Sequence, residues 1–101
     1  MPHNGPPAFE SVEEMADAFE QYLETAQLRE GAKGTYRRSV RRFAEWVAAD
    51  PSARGIDGLA AFLNTIDAYH SALASGAVRV PVSEPRVARV ALKHLLECAR
   101  G

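Results

Sequence analysis

The sequence predicts an all-α protein that folds as a compact four-helix bundle. Apolar residues recur at spacings of three and four in four separate segments, which is the period of amphipathic helices. Glycine and proline are concentrated between these segments. The chain has 101 residues, 47% hydrophobic and 25% charged, which suits one globular domain with a modest core. We therefore predict helices over 12–27, 32–49, 57–74 and 84–99, and no sheet of three or more strands.

The first helix begins with a capping box. Ser11 and Glu14 are three residues apart, so the hydroxyl and the carboxylate can each accept a hydrogen bond from a backbone amide at the helix start. The acidic side chains project from the side opposite the apolar stripe, and they are Glu13, Glu14, Asp17, Glu20 and Glu24. We expect these acids to point away from the basic residues of later helices. Residues 1–10, rich in proline and glycine, are interpreted as a flexible lead to a helical domain over 11–101.

The second helix carries two arginine pairs opposite its apolar stripe. Tyr36, Val40 and Phe43 share that stripe. The opposite arc contains Arg37, Arg38, Arg41 and Arg42. Four guanidinium groups outside and an apolar side inside would let this helix lie on a DNA backbone. The alternative is an ordinary solvated surface, with Glu45 pairing to Arg41 one turn away.

The third helix has predicted signals at both ends. Asp57 is the expected N-cap, and Gly76 is expected to end the helix. The pair Asn64 and Thr65 leaves open a split into two shorter helices. Residues 77–85 are expected to be irregular or to form a short strand-like stretch, because Pro81 cannot donate to a central sheet ladder.

The fourth helix begins near Pro85, since proline suits a first helical turn. Its inward residues are expected to be Val87, Ala91, Leu95 and Cys98, and its outward residues Arg86, Arg89, Lys93 and Arg100. Across the whole bundle, eight residues should be buried and touch between helices: Phe19, Leu23, Val40, Phe43, Ile66, Tyr69, Val87 and Leu95.

Charge is segregated along the chain although the net charge is only −1. Residues 1–30 hold seven acids and one base, hence −6, whereas residues 31–101 hold six acids and eleven bases, hence +5. Two basic helix faces in one small domain favour duplex DNA as the partner. The predicted DNA-binding residues are Lys33, Arg37, Arg38, Arg41, Arg42, Arg86, Arg89 and Lys93.

Enzymatic, metal and cofactor sites find no support in the sequence. His94 and Cys98 are one turn apart, but no second ligand pair has the spacing of a zinc site. The GAKG segment lacks the spacing of a phosphate-binding loop. Trp46 is interpreted as a packing residue at the core boundary, because a platform for single-stranded bases would use several exposed aromatic residues. We expect no catalytic residue, no metal and no cofactor.

The sequence gives no sign of a membrane or secretory protein. No apolar run approaches the ~20 residues that span a bilayer, and the N-terminal segment lacks the pattern of a signal peptide. The single cysteine, Cys98, fits a reducing compartment. We therefore expect a cytoplasmic protein.

Four segments together resemble the core-binding domain of tyrosine recombinases, the phage-integrase family. These segments are FEQYLETAQLREG, TYRRSVRRFAEWV, TIDAYHSAL and RVARVALKHLL, and the similarity extends over residues 11–100. The resemblance implies a SAM-like four-helix fold that clamps duplex DNA together with a separate C-terminal catalytic domain. It implies that the catalytic residues belong to that other domain. It also implies a domain that is monomeric alone and part of a recombinase tetramer on DNA.

The sequence is also compatible with two other functions. One is a helical protein–protein interaction domain that binds no nucleic acid. The other is a helix-turn-helix regulator, which the sequence favours less because the fourth helix has no asparagine or glutamine to read bases.

Overall fold

The computed structural model describes residues 9, 11–49 and 58–100, and it confirms the all-α four-helix bundle. The helices are α1 (Val12–Thr25), α2 (Glu30–Ala49), α3 (Leu59–Ser75) and α4 (Glu84–Arg100). The described residues contain no strand, and the stretch from 77 to 83 is irregular. The third helix is continuous, so the split at Asn64 and Thr65 does not occur.

The helix ends follow local chemistry at two of the three predicted positions. The Ser11 Oγ accepts a hydrogen bond from the Glu14 amide at 3.0 Å, as the capping box requires. Gly76 ends α3 with φ of 81°, a left-handed conformation that favours glycine. The N-cap of α3 was predicted wrongly. Gly58 occupies it without a side-chain hydrogen bond, and Asp57 lies outside the described residues.

The connection between α1 and α2 has the predicted length but lies two residues earlier in the chain. Helix α1 ends at Thr25 because Ala26 is extended, with φ of −73° and ψ of 143°. Helix α2 begins at Glu30 and contains Gly31. An isolated glycine costs a helix only about 1 kcal/mol relative to alanine. Gly31 and Gly34 therefore lie inside α2 without ending it.

The core is organised around the aromatic ring of Phe43 in α2. Its centroid lies 5.1 Å from that of Tyr69 and 6.2 Å from that of Phe62, both in α3, and both pairs are edge-to-face. Seven of the eight residues predicted to be buried are buried, and Val87 is half-buried. The buried stripe of α4 instead passes through Ala88, Ala91, Leu92 and Leu95. Val87 and Cys98 therefore lie at its edge and not at its centre.

Helix α4 packs against all three other helices, and against α2 most extensively. Near the start of α4, Glu84 contacts Ser39 and Arg42 of α2. Ten residues later, the His94 ring lies 5.3 Å from the ring of Tyr36. The two helices therefore run antiparallel. This arrangement decides which basic side chains meet acidic neighbours and which meet solvent.

Candidate nucleic-acid interface

The arginine arc of α2 (Arg37, Arg38, Arg41 and Arg42) is divided among three environments. On the side toward α1, the Arg37 Nε donates to Glu20 Oε1 at 2.8 Å, and Arg41 Nη2 lies 3.7 Å from the other oxygen of that carboxylate. The prediction that every acid of α1 points away from the arginines is wrong for Glu20. Helix α1 packs directly on α2, so a carboxylate at the edge of its stripe reaches the neighbouring helix.

On the side toward α4, Arg42 binds a carboxylate that the sequence analysis missed. Glu84 is 3% exposed, and its Oε1 accepts a hydrogen bond from Arg42 Nη1 at 2.6 Å. Its Oε2 accepts from the buried Ser39 hydroxyl at 2.6 Å. Charge-assisted bonds to both oxygens compensate for burying the carboxylate. Glu84 also lies in the first turn of α4, where the helix dipole favours a negative charge.

The signal for Glu84 was present in the sequence. Glu84 is four residues before Ala88, on the same stripe as Ala91 and Leu95. An acid at the end of an apolar stripe is usually solvated, so only the position of the α2 hydroxyl and guanidinium shows why this one is buried.

The Tyr69 hydroxyl lies in the same region of the core. It is buried and has no hydrogen-bond partner within the described part of the chain. Burial raises the pKa of Tyr69 to about 12, and the negative charge of Glu84 adds to this rise. The hydroxyl is therefore neutral at ordinary pH.

The other two predicted basic residues near the start of α2 differ in exposure. Lys33 is mostly buried along its side chain, which is 13% exposed, and its Nζ lies 3.5 Å from Glu30. Arg38 is exposed and makes no ion pair with any described residue. Of the α2 candidates, Arg38 is the one whose charge is fully available to a ligand.

The outer face of α4 is different. Its four cations are all exposed: Arg86, Arg89, Lys93 and Arg100. At 100° per residue they fall within about 60° of one another, centred nearly opposite the buried stripe. None of them forms an ion pair with a described residue. This face is a row of unneutralised positive charge on a rigid helix.

Arg89 has one further neighbour on α3. The pKa of His70 is lowered, chiefly because the ring is partly buried and secondly because Arg89 repels its protonated form. Asp67 opposes this shift. The charge of Arg89 on α4 thus acts on the imidazole of His70 on α3.

His94 belongs to a polar cluster between α1, α2 and α4. The Tyr22 hydroxyl lies 2.8 Å from His94 Nδ1 and donates to Glu97 Oε1 at 3.3 Å. The pKa of Tyr22 is raised by burial and then by Glu97. Burial likewise raises the pKa of the Cys98 thiol. The described residues bring together no group of three histidine, cysteine, aspartate or glutamate side chains that could hold a metal ion.

Within its described part, the chain has no helix both long and apolar enough to cross a membrane. Comparison with known proteins finds no matching family model, curated protein or solved structure. The function is therefore argued from the geometry of these charged surfaces together with the resemblance seen in the sequence.

Proposed function

We propose that this chain binds duplex DNA and that it is the core-binding domain of a tyrosine recombinase. The observation that carries the proposal is the outer face of α4, where four exposed cations lie within about 60° on one helix. Basic side chains on one rigid helix can contact successive phosphates, since the backbone of duplex DNA is a regular array of negative charge. Phosphate contacts of this kind position a protein on DNA without specifying a sequence.

The pairing of the α2 arginines moves the proposed contact surface toward α4. Arg37 and Arg42 each donate to a carboxylate at hydrogen-bonding distance, so a phosphate would have to compete with an internal partner. Arg41 is 65% exposed on its side chain and its ion pair is long, so it can turn to a ligand at small cost. We therefore expect Arg86, Arg89 and Lys93 to supply most of the DNA contacts, with Arg38 and Arg41 assisting.

The recombinase part of the proposal is supported by the four segments that resemble that family. In such a protein the catalytic residues and the second half of the DNA clamp lie in a C-terminal domain. This chain would then be, by itself, a monomeric DNA-binding module without catalytic activity. We expect weak duplex binding, in the non-specific range of ~10⁻⁴–10⁻⁶ M.

Fluorescence anisotropy of a labelled duplex at several salt concentrations tests the proposal. Log K should fall linearly with log salt, because bound phosphates release counterions. Replacing Arg86, Arg89 and Lys93 together with alanine should flatten that slope by roughly 2–3 units, at about 0.9 per phosphate contact. Circular dichroism should show an unchanged fold, since all three side chains are exposed.

The matched control is Arg37→Ala with Arg41→Ala, which removes cations of α2 that are already paired with Glu20. This variant should change the slope by less than about one unit. Absence of binding at low salt would refute DNA binding altogether. A slope that responds more to the α2 pair than to the α4 triple would move the interface back to α2.

A second candidate function is a helical protein–protein interaction domain. The observation in its favour is that Val90, 41% exposed, lies beside the cations of α4, and that Val82, two residues before that helix begins, is fully exposed. Isolated surface valines are common, so this observation is weaker than four unneutralised cations. Failure of duplex binding at low salt would make this alternative the leading one.

A further inference from the structure

A groove lies beside the second half of α2, and none of the cations on the outer face of α4 lines it. Its volume is about 350 Å³, which is within the range of small-molecule sites. Helix α2 supplies one wall and the irregular segment after α3 supplies the other. The lining residues are Arg42, Glu45, Trp46, Val78, Arg79 and Val80.

The aromatic surface in this groove is held rigidly. The Trp46 ring centroid lies 5.1 Å from that of Tyr69 and 6.3 Å from that of Phe43, so two core rings fix the indole. Trp46 is half-buried and also lines the groove. The sequence predicted a boundary packing residue, and these contacts confirm that role. The indole also borders the groove, and because its ring is already held in place, a ligand that contacts it loses little entropy of the protein.

Two arginines and one glutamate line the same groove as Trp46. Arg42 uses Nη1 toward Glu84, which leaves other N–H donors of its guanidinium for a ligand. Arg79 is exposed and forms no ion pair with the described residues. Glu45 is exposed at the same groove and can accept hydrogen bonds.

We propose that this groove binds one nucleotide unit with an amino-bearing base, guanine above all. The base stacks on Trp46, and Glu45 accepts from the base. Arg79 binds the phosphate, while Arg42 stays bound to Glu84 and adds its positive charge to the groove. Guanine fits best because its N1–H and its amino group donate side by side, which matches the two oxygens of a carboxylate. Val78 and Val80 cover the apolar part of the nucleotide.

The same charges disfavour an acidic peptide as the occupant. Two arginines would attract such a peptide, but Glu45 would repel its carboxylates. A nucleotide uses the positive and negative groups at once, because its phosphate is an anion and its base carries hydrogen-bond donors. The nucleotide can be free, or it can be an unpaired nucleotide at the end of a DNA strand.

The site goes beyond the duplex binding proposed for α4, and it uses none of the residues of that face. Trp46 is the only tryptophan of the chain, so its fluorescence reports directly on the groove. Titration with dGMP should give saturable quenching, and dTMP, which has no exocyclic amino group, should bind more weakly. Excitation at the red edge of the indole band avoids absorption by the nucleotide.

Two variants and a control test the assigned contacts. Arg79→Ala should weaken dGMP binding roughly tenfold, the effect of losing one charge-assisted contact to phosphate. Glu45→Gln should remove most of the preference for dGMP over dTMP, because the amide cannot accept on both atoms. Arg29→Ala removes an exposed arginine that lies in neither the groove nor the outer face of α4, and it should leave the affinity unchanged.

The two sources of the nucleotide are separated with DNA hairpins. The occupant is a strand end if a hairpin with an unpaired terminal guanine quenches Trp46 at much lower concentration than dGMP. In that case Arg79→Ala should raise the concentration of hairpin that is needed for quenching. Equal affinities for the hairpin and for dGMP identify a free nucleotide. The Arg86, Arg89 and Lys93 triple variant should keep its affinity for dGMP even if it loses duplex binding, so the two proposals fail separately.

Three results would overturn the nucleotide site. These are the absence of saturable quenching by millimolar dGMP, quenching that Arg79→Ala leaves unchanged, and quenching by an acidic peptide where dGMP has no effect.

Discussion

Helices α2 and α4 both place cations opposite an apolar stripe, yet only on α4 are all of those cations without an ion pair to a described residue. The arginine arc of α2 spans about 140° of the helix circumference, whereas the outer face of α4 spans about 60°. A wide arc extends beyond the solvent-facing side and brings its outer members to the neighbouring helices. There Arg37 meets Glu20 of α1, and Arg42 meets Glu84 of α4. The narrower set of α4 stays in solvent.

The comparison teaches that a cation stays free or becomes paired according to the acids that it can reach on the neighbouring helices. Arg38 lies almost opposite the α2 stripe and is exposed without an ion pair to any described residue. Arg42 lies closer to the stripe and is bound to a buried carboxylate. The cations of α2 therefore hold helices together to a large extent, and those of α4 remain available to a ligand.

The largest expected effect comes from breaking the buried pair between the two helices. Glu84→Ala should lower the free energy of unfolding by about 2–4 kcal/mol, because the buried Ser39 hydroxyl loses its acceptor and Arg42 loses its counter-charge. Urea denaturation followed by Trp46 fluorescence measures this. Glu84→Gln keeps the shape and one acceptor and should cost less.

The control for that experiment is Arg86→Ala, which removes an exposed cation two residues away and should change stability by no more than about 0.5 kcal/mol. If Glu84→Ala and Arg86→Ala are equally mild, the buried pair contributes nothing and the distinction between the helices is lost.

A smaller effect is expected from the pairing of α2 with α1. Arg37→Ala with Arg41→Ala should destabilise the protein by about 0.5–1.5 kcal/mol, since both ion pairs with Glu20 are partly exposed. Glu20→Gln should cost a similar amount and should strengthen duplex binding, because it frees two arginines and removes a carboxylate that repels phosphate. Thermal unfolding and anisotropy on the same samples measure both effects. Weaker duplex binding by Glu20→Gln would contradict the competition between Glu20 and DNA.

The smallest expected effect is a pH dependence from His70. Its folded-state pKa is below the unfolded value, so the unfolded chain takes up the proton more readily as the pH falls. The neutral ring therefore contributes stability above the unfolded pKa of about 6.5, and this contribution is lost as the pH falls through the lower folded-state value. His70→Gln should have a flatter dependence of Tm on pH in that acidic range.

The pH dependence of duplex binding is a second test of the lowered pKa of His70. A phosphate bound to Arg89 would relieve the repulsion that disfavours protonated His70, so duplex affinity should rise on acidification more in the wild type than in His70→Gln. Parallel pH profiles of affinity for the two proteins would show that Arg89 is not at the DNA surface.

Most of the fold could be predicted because its determinants are local. The apolar stripes, the Ser11 cap and the glycine that ends α3 are properties of neighbouring residues, and each has a direct effect on the backbone. The errors lie where local signals are weak or compete. Gly31 was placed outside the predicted second helix, yet it lies inside α2, because one glycine costs a helix only about 1 kcal/mol. Asp57 suggested a cap at a position that Gly58 occupies.

The candidate site was predictable as a set of cations but not as a set of free charges. The sequence by itself determined which helix sides carry Arg37, Arg42 and Arg86, because helical periodicity decides the angle at which each side chain leaves its helix. Only the tertiary structure decided which of these charges are neutralised. Glu20 lies 17 residues from Arg37, and Glu84 lies 42 residues from Arg42, so both pairs depend on how whole helices pack. Ion pairing acts through space over a few ångströms, and no periodicity along the chain encodes that distance.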